Sequence, residues 1–235
     1  MEEVFKSGTL NMSASPLQGL AADPLWTDIL VNRILAVVAV VLLVLNLLDF
    51  FRIIPQLLYC YSRTRGAEAL EHSLGTARLR NLLAFSFTLP FCLILDRFAV
   101  VQPAFWSAIP PAWSAPATIG LVIAFVLVRA IFHAFFRPRR MSGEVVSTLR
   151  HNPYNYLLLL VPLMLLATAA LTFLPIDEAL GRTVLRGLIA AVWGFATLRS
   201  SQILVAHGAG LSTFLYLCAL ELIPAALLVA VVVLF

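Results

Sequence analysis

Apolar residues run along this chain in long unbroken blocks, such as ILAVVAVVLLVL at residues 34–45 and LLLLVPLMLL at 157–166. Neither block alternates with a period of two, so the strands of a transmembrane barrel are excluded. About 20 apolar residues cross a hydrocarbon core as a helix. Six windows of that kind are present: 29–51, 81–101, 117–136, 154–174, 184–206 and 212–235. A span in lipid must satisfy its backbone internally, so each window predicts a helix and the fold class is all-α, a polytopic transmembrane helix bundle of about six spans. Pro55 leaves open whether the first span kinks or ends there.

Between the spans the pattern turns polar. Residues 1–28 form a polar N-terminal tail without the apolar core or cleavage site of a secretory signal. Residues 67–80, AEALEHSLGTARLR, space Leu70, Leu74 and Arg78 four apart and predict a short surface helix. Residues 102–116, QPAFWSAIPPAWSAP, read as an extended loop with Trp106 and Trp113 as interfacial anchors. Gly187, Ala191 and Gly194 predict close helix contact along the fifth span.

Composition confirms the class. Hydrophobic residues make up 61% of the 235, charged residues 12%. Soluble domains carry roughly 25% charged residues, and so dry a chain cannot cover itself with polar groups. Cys60, Cys92 and Cys218 lie far apart within or beside apolar runs and read as packing residues. The net charge of +4 comes mostly from arginines between the spans. Such arginines set topology and meet lipid head groups, so no nucleic-acid partner is expected. Ten basic residues, including Arg52, Arg63, Arg78, Arg137, Arg139, Arg140 and Arg150, border one side, against five on the other. The richer side is assigned to the cytoplasm, which places both termini in the periplasm if the membrane is a bacterial inner membrane.

Charged groups within the hydrocarbon carry the candidate chemistry, because each costs about 2.5–3.5 kcal/mol at a helix centre. Arg129, Arg199 and Glu221 fall at similar depths, roughly 12–14 Å from the cytoplasmic ends of their spans. His133 shares a helix face with Arg129 one turn nearer the cytoplasm, and Gln202 follows Arg199 by three. With Asp49 as charge partner, these residues predict a polar cluster open to the cytoplasm. Guanidinium groups there receive an anionic group, and a lipid phosphate or another small anion is the expected ligand. Two alternatives stay open: a scaffold or accessory subunit docking a protein partner, with Asp49 and Glu221 neutralising the arginines, and a proton-coupled transporter using Glu221 and His133. A lipid-acting enzyme with Glu221 or His133 as base ranks third. No HExxH, GxSxG, P-loop or CxxC motif is present, so no catalytic residue, metal or cofactor is assigned.

RAIFHAFFRPRR, NPYNYLLLLVPLMLL and FLYLCALELIPAALLV, with the Cys218, Glu221, Pro224 pattern, resemble a multi-spanning membrane protein family found mainly in Bacteroidota. That family is catalogued as a domain of unknown function. The resemblance covers residues 51–235 and implies a polytopic inner-membrane protein without carrying an activity.

Overall fold

The computed structural model describes residues 26–101, 103–135, 142–173, 177–207, 218 and 222–234. Its helices are α1 (Leu30–Ser62), α2 (Thr64–His72), α3 (Leu74–Arg97), α4 (Ser114–Phe135), α5 (Gly143–Phe173), α6 (Glu178–His207) and α7 (Ile223–Leu234). Single 3-10 turns occupy Trp26–Asp28, Ala104–Ala108 and Pro111–Trp113. Among the described residues there is no strand. Five helical segments are long and apolar enough to cross a membrane, which is compatible with an integral membrane protein. The sixth expected span is represented by α7 alone, since most of its first half lies outside the described residues.

The helices outrun the apolar windows. α1 is 33 residues, about 50 Å, and passes through Pro55 without ending. α5 begins at Gly143, eleven residues before its window. Helical hydrogen bonding is local and continues where the apolar run stops, whereas hydropathy marks only the stretch that lipid covers.

α3 is the hub, packed by α1, α2, α4 and α5. Burial follows that position: 61% of its most apolar stretch is enclosed, against 6% in α1 and 11% in Pro111–Phe135. Its polar side chains explain the arrangement, since Arg80, Ser86 and Asp96 are all buried and lipid offers them no partner. Ile53 and Leu57 of α1, Leu83 and Phe87 of α3, and Leu158 and Val161 of α5 close one core layer. Ile94 and Leu95 of α3, Met164 of α5, and Leu185 and Val192 of α6 close another. Leu30, Ile34, Val37, Val41, Val44, Leu45, Leu48 and Phe51 of α1 face outward, as lipid requires.

Three expectations are corrected by packing. The surface helix over 67–80 is split at Ser73, which is extended. Leu70 is buried under the bundle, Leu74 is 87% exposed, and Arg78 belongs to α3. The extended Arg63 between α1 and α2 lets α2 fold back across the end of α1, and Gly66 permits the approach: a Cβ there would sit 2.5 Å from the Tyr59 carbonyl oxygen. The 102–116 loop forms two 3-10 turns where described, with Trp113 exposed but Trp106 buried where the first turn meets α7. A Cβ on Gly187 or Gly194 would meet nothing within 4 Å, so these glycines make no close contact with the described helices.

α3 ends in a left-handed residue, Ala99, at φ 50°. The amide of Val100 returns to the Leu95 carbonyl at 2.9 Å, the Schellman closure usually given to glycine. A Cβ in that conformation costs about 1–2 kcal/mol. Ala99→Gly is therefore expected to raise the thermal midpoint of the purified protein, and a lowered midpoint would refute this account of the turn.

Candidate functional site

At the end of the bundle bearing α2, a charge network joins three helices. Arg80 of α3, with 1% of its side chain exposed, meets Glu71 of α2 at 2.8 Å. Its Nε and Nη2 donate to Asn81 Oδ1 at 3.0 and 2.9 Å. The other Glu71 oxygen accepts from Ser147 of α5 at 2.5 Å and lies 3.0 Å from His151 Nδ1. The bonds from His151, Ser147 and Arg80 outweigh burial and hold the Glu71 carboxyl down at about 2. Sequence reading placed Arg80 and His151 on this side but named none of these residues as a site. Glu71 and His151 stand 80 positions apart, and no local signal joins them.

A second junction lies where α1, α5 and α6 meet. The last carbonyls of a helix have no partner within it. In α1, Tyr59 accepts the Arg63 amide at 3.0 Å, while Cys60 and Tyr61 accept Nη2 of Arg199, Cys60 at 3.4 Å. Arg199 Nη1 donates to Gln202 Oε1 at 2.8 Å. A guanidinium at a helix C-terminus also complements its dipole, so Arg199 acts here as a clamp on α1. Asn152 of α5 donates to Ser200 Oγ and the Ala196 carbonyl at 2.9 and 3.1 Å. Asn155 donates weakly to Cys60 Sγ at 3.5 Å, and Tyr61 OH donates to the Asn155 carbonyl at 2.6 Å.

The other sequence-chosen residues separate. Arg129 and His133 lie one turn apart on the inner face of α4, each 8% exposed. Arg129 Nη1 reaches the Arg150 carbonyl of α5 at 3.5 Å, and His133 Nε2 has no partner among the described residues. Asp49 pairs with Arg52 on its own helix at 3.2 Å, not with Arg129 or Arg199. An acid three residues before an exposed arginine finds it locally, without crossing the bundle. Glu221 lies outside the described residues.

At the opposite end, Asp96 of α3 is 5% exposed. It accepts from Trp26 Nε1 at 2.6 Å, from Ser114 Oγ, and from Thr118 Oγ1 at 3.2 Å. Ser114 begins α4, so the carboxylate sits against a helix N-terminus, where the dipole favours negative charge. Asp96 falls inside a predicted span, and its depth in the membrane was the signal available for finding it.

The Glu71 network yields a signed pH dependence. A carboxyl held at about 2, below its ordinary 4.5, contributes stability that is complete above 4.5 and lost as pH falls toward 2. Glu71→Gln leaves Arg80 buried without its counter-charge, a loss of on the order of 3 kcal/mol. The thermal midpoint of wild type should drop toward the variant's between those pH values. Parallel curves for the two proteins would show that the pair contributes nothing. Comparisons with protein-family models, with curated proteins and with solved structures found no match to this chain.

Proposed function

We propose that this chain is a multi-pass protein of a bacterial inner membrane whose α2-bearing end faces the cytoplasm and both of whose termini face the periplasm. We propose further that it binds an anionic ligand, with a lipid phosphate the best fit, where Arg129 and His133 of α4 approach α5. The observation that carries this reading is His133: a buried imidazole with an unpartnered Nε2, one turn from a buried guanidinium. Such a pair offers an anion two kinds of donor in a dry setting, where charge-assisted bonds are strongest.

The surrounding charge supports it. From Arg129 to His151 the sequence holds five arginines and two histidines against one acid, Glu144. Basic residues massed at the cytoplasmic edge of a span attract anionic head groups. Arg199 and Gln202 contribute less than the sequence implied, because Arg199 already serves the α1 carbonyls. A scaffold role is the second reading, favoured by the many polar side chains spent on holding helices together. The proton-coupled variant rests on His133 and on Glu221, and so on a residue beyond the described ones.

The test is native mass spectrometry of the full-length protein from nanodiscs containing neutral and anionic phospholipid. Wild type should retain anionic lipid, and an Arg129→Gln, His133→Gln double variant should lose at least about tenfold in that retention, the equivalent of 1.4 kcal/mol. Excess inorganic phosphate that displaces the signal would assign the site to a free anion. Equal lipid retention by two folded proteins would remove the reading in favour of the scaffold.

A further inference from the structure

Helix α2 is nine residues long and rests across the ends of α1, α3, α5 and α6. A single extended residue stands at each of its ends: Arg63 at φ −131° and ψ 140°, Ser73 at φ −88° and ψ 103°. Hinges are element-terminal residues of this kind, which take up a change in φ and ψ while the helices beside them stay intact. The apolar footing of α2 is small. Ala67 and Leu70 are its buried hydrophobic side chains among the described residues, and an alanine and a leucine hold far less surface than a span does.

The rest of its hold is polar and converges on one carboxylate. Arg80 of α3 bonds one Glu71 oxygen at 2.8 Å, and Ser147 and His151 of α5 meet the other at 2.5 and 3.0 Å. Beside the Ser73 hinge, the Leu70 carbonyl also accepts from Thr76 at 3.2 Å. A short element with little apolar burial opens at lower free energy than the core it sits on.

What lies under α2 gives such an opening a consequence. Ala67 packs with Cys60 of α1, Val145 and Leu149 of α5, and Ile203 and Leu204 of α6. A Cβ on Gly66 would stand 2.8 Å from the Cys60 Cα, so the backbone of α2 lies directly on the end of α1. Further in are the polar contacts of the junction: Arg199 on the Cys60 and Tyr61 carbonyls, Asn155 on the Cys60 thiol and Asn152 on Ser200. With α2 in place, Cys60 is 0% exposed.

We infer that α2 is a lid over the α1–α5–α6 junction, hinged at Arg63 and Ser73 and latched through Glu71, and that its opening admits the aqueous phase to that junction while the spans stay packed. The lid is independent of the anion reading on α4.

The experiment is thiol labelling of the full-length protein in nanodiscs by a charged methanethiosulfonate, which lipid excludes, with the rate read by mass spectrometry. The chain has three cysteines, so Cys92→Ala with Cys218→Ala leaves Cys60 as the reporter. In that background Ser147→Ala removes one bond of the latch and keeps the ion pair of Glu71 with Arg80. It is expected to speed labelling by about tenfold, the equivalent of 1.4 kcal/mol. Glu71→Gln should speed it further, and Ser147→Ala carries the test alone if that variant fails to insert. Met164→Ala, in a core layer that α2 does not touch, should lower the thermal midpoint and leave the Cys60 rate unchanged. Equal acceleration by Met164→Ala and Ser147→Ala would show that Cys60 is reached only when the whole bundle opens, and the lid would be overturned. An unchanged rate in Ser147→Ala would overturn it as well.

Discussion

Arg80 brings into the bundle a charge that lipid cannot accept, and the arrangement of α2, α3 and α5 around it follows from giving it a partner. Its side chain is 1% exposed, so neither snorkelling nor screening relieves it. Glu71 relieves it only because α2 turns back over the end of α1, which in turn needs Gly66 against Tyr59 and Cys60. Ser147 and His151 then fix the other carboxylate oxygen and draw α5 into the same junction. One ion pair thus ties the position of a surface helix to the packing of two spans.

The same constraint governs the helix ends. Arg199 brings positive charge to the carbonyl end of α1, and Asp96 brings negative charge to the amide end of α4. Both placements oppose the macrodipole of the helix they meet, and both come from a different helix than the one they cap. Interior charges in this protein therefore act as fasteners between spans. That use accounts for Arg199 and Asp96, and Arg129 of α4 likewise reaches the Arg150 carbonyl of α5.

The buried polar groups of α4 and α5 differ in kind. Around α4 the chain gathers guanidinium and imidazole groups, whereas along α5 it gathers amides and hydroxyls without a buried acid among the described residues. Each lies at the α2-bearing end, where the polar side chains of α5 continue inward from Ser147 and His151 toward Tyr156. The opposite end is closed by Trp26, bonded to Asp96 through its indole and covered by Arg97 at 5.8 Å.

Much of the bundle was legible in the amino-acid order, because lipid imposes a one-dimensional rule: a run of apolar residues long enough to cross must be a helix. The all-α class and five of the six expected spans, seen as helices long and apolar enough to cross, follow from that rule, while the inward placement of Cys60 and Cys92 follows from a free thiol behaving as a small hydrophobe. The ends of α1 and α5 did not, since helical hydrogen bonding pays no attention to where the hydrocarbon stops. Nor did the pairings. Asp49 found Arg52 a turn away, but Arg199 found the carbonyls of α1 across 138 and 139 positions, and Glu71 found His151 across 80. Periodicity reports which face of a helix is apolar, and depth reports that a charge needs company. Which partner answers depends on the order and rotation of helices around α3, and those are set by side chains meeting in three dimensions.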